Sequence, residues 1–586
     1  MYKPRLAELQ RSREIIGDFT GYNKNPVIPE NSFYDEKNMS LSEYPLLSPR
    51  NKRAFFNVTG DGLHGLFSKS KLIYINNGSL YYGGERVDGL HFAESEKKRR
   101  FVSMGALLLV FPDKVYINTA DLSDYGSLEA FFESGEGAGV TAAFCKADGE
   151  LYEGYTVGSA TPEQPQNGDL WVDTSVTPNV LRQYSQGLGD WFDIAATYVK
   201  ISTAGIGKSF NTDDGVTVEG LSDSLDGSHI ITHCGDDFII VAGIIPNTIT
   251  SQNNVKISRR LPDMDFVAEN GNRLWGCSSE KNEIYASKLG DAKNFFCYRG
   301  ISTDSYAVTV GSDGDFTGAV SYRGYVLFFK ENCVHKIYGQ NPPFSVSASY
   351  IRGVQKGSEG SLVILNESLF YKSPNGVCVF DGGVPVDISK ALGGEYFTDA
   401  VAGALGDVYY ICMSDKDGGR VLFTFDESKS LWSKQDDIDI REFATHNYNL
   451  YFIADTPDGR RLCLADGENR FGNFSGELAG YCEENDFQWM AQTGLWGLSV
   501  PENKYYSSVI FRLWGEKGAS FRVEVQTNSD GEWVEQLSEK IEKTGSLVLP
   551  FTLPRCDHLA LRLSGKGKVK IYSIARALQK GSELDV

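Results

Sequence analysis

The chain has 586 residues, 41% of them hydrophobic and 23% charged, a composition that excludes a disordered or fibrous protein. Lys and Arg number 57 against 77 Asp and Glu, a net charge of −20, which disfavours a tight binder of DNA or of an anionic membrane, where phosphates must meet clustered cations. The 62 Gly, 34 Phe and 30 Tyr point instead to many short strands joined by tight turns.

The opening residues Met1-Tyr2-Lys3-Pro4-Arg5-Leu6 hold no apolar run, so no signal peptide is expected. No stretch reaches the ~18 apolar residues that span a bilayer, and no membrane insertion is expected. Leu6 to Ile16 is the one good helix candidate, at the head of an extended, Pro-punctuated N-terminal arm over residues 1–55.

From there a two-hairpin unit recurs. The turns Lys69-Ser70, Met104-Gly105, Asn270-Gly271, Arg323-Gly324, Asn366-Glu367, Gly406-Asp407 and Asn447-Tyr448 each lead into a short apolar strand. Matching second strands centre on Tyr81, Tyr116, Tyr285, Lys336, Val379, Thr424 and Cys463. The last three steps between turns are 43, 40 and 41 residues. A period near 40 with four short strands per unit is the mark of β-propeller blades, since a lone blade cannot bury both faces. The predicted fold is therefore all-β: a β-propeller of about seven blades over residues 56–470. Asn57-Val58-Thr59 is expected to add an outer strand to the last blade, and His229 to Ile245 is a candidate eighth, degenerate blade.

One step of 166 residues is a blade plus roughly 120 more. This predicts an insertion over residues 121–250, within the second blade, made of two small β modules. The first contains Gly168-Asp169-Leu170-Trp171-Val172-Asp173-Thr174, and Trp171 with Trp191 would form its core. The second has four short alternating strands between Tyr198 and Val241, enough for a small barrel. Residues 121–230 hold 18 acidic and 4 basic side chains, so this lobe carries 14 of the 20 net negative charges. It would line a conduit that repels DNA or dock the basic ends of a neighbouring subunit. Beyond it, strict alternation in Ser508 to Trp514, Phe521 to Val525 and Val569 to Ile574 predicts a C-terminal β-sandwich over residues 475–586.

Sites of chemistry are sparse. Gly205-Ile206-Gly207-Lys208-Ser209 lacks the upstream Gly and the following helix of a phosphate loop. His229 and His233 share a strand face without a third ligand. Asp415-Lys416-Asp417-Gly418-Gly419-Arg420 has Arg where a calcium loop turns on Gly. None of the ten Cys has CxxC spacing, so buried reduced thiols are expected. The reading is a protein that is not an enzyme, with no catalytic residues, cofactor or metal. Two basic clusters, Arg50, Lys52 and Arg53, and Lys97, Lys98, Arg99 and Arg100, are candidate interface residues for an acidic partner or passing DNA, or else solvated edges and ion pairs.

Three segments carry a resemblance. The arm reads Asn31-Ser32-Phe33-Tyr34-Asp35-Glu36-Lys37-Asn38-Met39, then Tyr44-Pro45-Leu46-Leu47-Ser48-Pro49-Arg50. The Gly168 to Thr174 module and the ending Pro554-Arg555-Cys556-Asp557-His558 with Lys570-Ile571-Tyr572-Ser573-Ile574 complete the set. Together they resemble tailed-bacteriophage structural proteins: the β-propeller tail-nozzle or packaged-DNA-stabilisation proteins. The resemblance implies a virion tail component, made and assembled in the bacterial host cytoplasm. It would form a homo-oligomeric ring, commonly six-fold, against neighbouring connector and tail proteins and gate or guide DNA without reading its sequence. The alternative is a receptor- or glycan-binding propeller at a tail tip, with Trp171 and Trp191 stacking sugars.

Overall fold

The computed structural model describes residues 11–580, apart from 96, 136, 138, 473, 502, 542 and 550–553. The described residues form strands and three short 3-10 turns, with no α-helix. The chain divides into two compact units. One comprises Met1–Lys98, Phe329–Val334 and Ser349–Val586, and the other Arg99–Phe328 and His335–Ala348.

Seven antiparallel sheets run as up-and-down meanders in chain order, which is the propeller repeat. We number them as blades: blade 1 (64–91), blade 2 (100–127), blade 3 (266–309), blade 4 (318–349), blade 5 (363–387), blade 6 (398–434) and blade 7 (439–464). The apolar runs picked out by the repeat are the second strands of these sheets, such as Leu72–Asn76 and Asn449–Thr456. The paired runs are the third strands, such as Ser79–Tyr82 and Gly459–Leu464. In the first unit the first strands of blades 5, 6, 7 and 1 neighbour one another in that order. In the second unit those of blades 2, 3 and 4 do so. Apolar clusters fill the spaces between blades, as with Phe370, Tyr409, Phe423 and Trp432 between blades 5 and 6. Within each unit neighbouring blades thus bury facing surfaces, which a blade could not do alone.

Blade 7 completes its sheet with a borrowed strand. Ala54–Thr59 pairs antiparallel with Gly459–Leu464, matching Cys463 with Phe55. Tyr481–Glu483 pairs on its other side, so this segment belongs to blade 7 and the sandwich begins at Gln488.

The sandwich has two sheets around one core that includes Trp489, Trp496, Phe511, Phe521 and Leu561. The N-terminal arm supplies an edge strand to each sheet. Arg11–Ile16 pairs with Val569–Lys580, and Phe33–Lys37 pairs with Gln488–Thr493. This corrects the helix expected from Leu6 to Ile16. Residues 6–10 lie outside the described residues, and the remainder is a strand because an unpaired sheet edge offers it a backbone partner that local propensity cannot match.

The insertion differs from expectation in extent. Blade 2 is complete at Ser127, so the insertion follows that blade. Its sheet has eight strands, in the order 130–133, 256–259, 215–219, 227–235, 238–242, 198–202, 140–145 and 249–252. The strand Gly227–Gly235 belongs to it, not to an eighth blade. The strands 130–133, 140–145, 249–252 and 256–259, outside the four expected between Tyr198 and Val241, supply the extra pairing. A four-stranded module (155–193) with a parallel first pair is carried between two neighbouring strands of that sheet.

Candidate functional site

The first basic cluster is an internal seam. Arg50 is 5% exposed and Arg53 is 2% exposed. Arg50 grips Glu484 through two bonds, Nη1 to Oε2 at 2.6 Å and Nη2 to Oε1 at 2.9 Å, and its guanidinium lies 4.0 Å from the Phe487 ring centroid. Arg53 grips Asp436 in the same way at 2.7 and 2.9 Å and also donates to Gln435 Oε1 at 3.0 Å. Burial pushes the Asp436 carboxyl up, but Arg53 and Arg50 overcome this and hold it below the usual carboxylate range. Glu484 is likewise held low by Arg50 against its own burial. The geometry is that of bidentate charge-assisted pairs.

The second cluster divides. Arg99 is buried and bidentate with Asp113 at 2.8 and 2.9 Å. Arg100 lies over the Phe266 ring at 4.4 Å. The expectation that both clusters face a partner is therefore corrected for Arg50, Arg53 and Arg99. Their guanidinium groups are buried because carboxylates supply the counter-charge, 14 positions away for Arg99 and more than 380 away for Arg50 and Arg53. Lys97 and Lys98 are exposed, with Lys98 4.0 Å from Glu359. Lys52 is half-buried and paired with Asp486 at 2.6 Å.

The indole pair is a core, as its spacing predicted. Trp171 is 4% exposed, its Nε1 donates to Gly158 O at 2.9 Å, and it meets Trp191 edge-on at 5.5 Å. Its face is thus closed to a sugar, which corrects its use as a stacking platform. Trp191 is half-buried and packs on Tyr184.

The remaining motifs are turns or fillers. A Cβ at Gly207 would lie 1.9 Å from Gly235 O, so that glycine serves a close backbone approach. His229 bonds Leu225 O at 2.8 Å, and Asp415 Oδ1 accepts the backbone amides of Asp417 and Gly419. No group of three or more His, Cys, Asp or Glu able to hold a metal occurs among the described residues. All ten Cys are free thiols; eight are buried as expected, whereas Cys234 is half-buried and Cys482 is exposed.

Two features escaped the sequence. Glu36, on the arm, is 1% exposed and accepts from Ser433 Oγ at 2.9 Å and Lys434 N at 3.0 Å. Burial raises its carboxyl to about 8 despite those bonds. The second is a cleft of about 710 Å³ between the turns of blades 6 and 7, walled by Tyr448 and Phe471. Its signal was in the repeat: Tyr448 sits at a turn position that holds Gly324 in blade 4 and Glu367 in blade 5.

No protein-family model matches the chain, and no curated protein matches it. Solved structures show distant likenesses. An engineered GH43 glycoside hydrolase with endo-xylanase and exo-arabinofuranosidase activity is 11% identical, with 54% of this chain and 97% of that chain covered at a TM-score of 0.20. A putative 6-phosphogluconolactonase from Bacteroides fragilis is 10% identical over 70% of this chain and 98% of its own, at 0.21. The extracellular domain of a putative hybrid two-component system from B. thetaiotaomicron is 8% identical over 92% and 99%, at 0.18. Likenesses this low carry no argument about what the chain does.

Proposed function

We propose that the chain is a structural component of a bacteriophage tail, at a nozzle, hub or head-to-tail position, and that copies of it form a ring through which DNA leaves the particle. The sequence resemblance motivates this reading. The observation that carries it is the interlocking of the chain's two ends. The arm adds one strand to each sheet of the C-terminal sandwich and a third to blade 7. Arg576, nearly buried on the last strand, bonds both Glu14 and Glu30 of the arm. Both ends of the described chain are therefore tied into sheets by backbone pairing and by the Arg576 ion pairs, which suits a wall that withstands DNA passage.

The described part of the arm is used within its own chain. Residues 11–16, 33–37 and 54–59 already have sheet partners, so subunit contacts fall to exposed side chains, with Lys97 and Lys98 the remaining candidates of the basic clusters. Cryo-EM of the particle, with mass photometry of the purified chain, tests the proposal. A ring within the tail is expected. A chain that stays monomeric at every concentration and is missing from virions overturns it.

A further inference from the structure

The cleft between blades 6 and 7 has the chemistry of a sugar site. Tyr448 is 80% exposed and Phe471 55% exposed, and their rings lie 5.9 Å apart at 56°. Neither is loose. The buried Asn449 accepts from the Phe471 amide at 3.0 Å and donates to its carbonyl at 2.8 Å. Tyr448 sits at φ +59° after Asn447 at φ +47°, the left-handed pair of a tight hairpin turn, where Gly would cost least. A large ring is therefore held in water at a position that disfavours it. Turn geometry does not require it, because Gly324 and Glu367 occupy the matching left-handed place at φ +80° and +65°.

The polar lining points the same way. Asp466 Oδ2 is already taken by Asn51 at 2.9 Å and Asn469 at 3.0 Å, and Oδ1 by the backbone amides of Glu468 and Asn469. Asp466 therefore positions Asn469 and offers a ligand little. Asn447 and Asn469 both line this cleft; Asn469 Nδ2 donates to Asp466, and carboxamides supply the mixed donors and acceptors that vicinal hydroxyls take. None of the lining residues is Lys or Arg, so nothing there recruits an acidic ligand. At the adjoining blade pair, Asn366 Nδ2 joins the turns of blades 5 and 6 by bonding Asp407 Oδ1 at 3.0 Å.

We propose that this cleft binds a neutral saccharide, one pyranose face stacking on Tyr448 against the wall of Phe471, with the Asn447 and Asn469 amides holding its hydroxyls. The site stands independently of ring assembly.

The test uses the full chain on an array of neutral cello-, malto-, chito- and galacto-oligosaccharides with oligo-uronate controls, followed by calorimetric titration of the captured sugars. Capture of a neutral class is expected, with affinity falling about tenfold in Phe471→Ala. Tyr448→Gly separates binding from folding: its Tm should hold or rise, because Gly accepts the left-handed turn, while binding is lost. Failure to capture any neutral saccharide, a preference for the uronates, or binding unchanged in both variants overturns the proposal.

Discussion

The acidic insertion and the arm–sandwich seam are both built from short strands, yet they place charge differently. The insertion packs an aliphatic core, with Val140, Ile201, Val218, Ile239 and Ile257 among its members. It leaves most of its carboxylates in water and buries the pair Asp214 and Arg259. The seam buries Arg50, Arg53, Arg576 and Glu36. Alternating burial fixes the register of the insertion's strands, because a one-residue slip would turn their apolar side chains outward, whereas in the seam bidentate pairs add a second constraint that is met in one register only. Strands that join from distant parts of the chain have no short turn to set their register, and the buried pairs help to set it.

The largest expected effect breaks the seam. Arg53→Ala leaves Asp436 buried without its main partner and should cost about 3–5 kcal/mol in urea or guanidinium unfolding. Arg53→Met with Asp436→Leu should recover most of it if register is held elsewhere, and failure to recover would show that the pair itself sets the register.

Trp171→Ala should cost the 155–193 module about 3 kcal/mol or more. Because that core is separate from the sandwich core, limited proteolysis should cut within the module while hydrogen exchange in strands 559–580 stays unchanged. Loss of protection in both regions would show that the two are energetically coupled.

Glu36 sharpens the comparison through pH. Its carboxyl is raised in the folded state from a usual value near 4.5 to about 8, so the folded state holds a proton that the unfolded state has lost. This contribution is complete below about pH 4.5 and declines as pH rises through 8, by up to about 1.4 kcal/mol per pH unit. Asp436 and Glu484 act oppositely: held low, they lose their contribution only as pH falls below the usual carboxylate range. Chemical-denaturation midpoints should therefore decline from pH 5 to pH 8 in the native chain and flatten in Glu36→Gln. An unchanged slope in that variant would place the proton elsewhere. The smallest effect is at Lys52, whose pair with Asp486 is largely solvated. Lys52→Ala should change stability by less than about 1 kcal/mol, and a larger loss would extend the buried seam outward.

The repeat was legible because each blade carries its own turn and apolar strands within about 40 residues. The insertion's core and the alternating sandwich strands were legible for the same local reason. The edge strands were not: Arg11-Ser12-Arg13-Glu14 has no apolar alternation, and its pairing is set by residues 576–579. Arg50 and Arg53 read as surface charge because their carboxylates, Glu484 and Asp436, lie more than 380 positions away. Tyr448 was visible as a turn residue, but Phe471 reaches it from a separate loop, held there by Asn449.

The pairing of Arg11–Ile16 with Val569–Lys580 also sets a schedule during synthesis. A ribosome adding roughly 5–20 residues per second delivers the first strand about half a minute to two minutes before its partner. Throughout that interval both sandwich sheets lack the segments that complete them, and blade 7 has its outer strand before it has the strand to pair with it. Waiting edges of this kind invite mispairing between nascent chains on one message. The charged, weakly apolar composition of Arg11 to Glu14 makes the earliest of them a poor template for strangers, so the chain can afford to close last where it began.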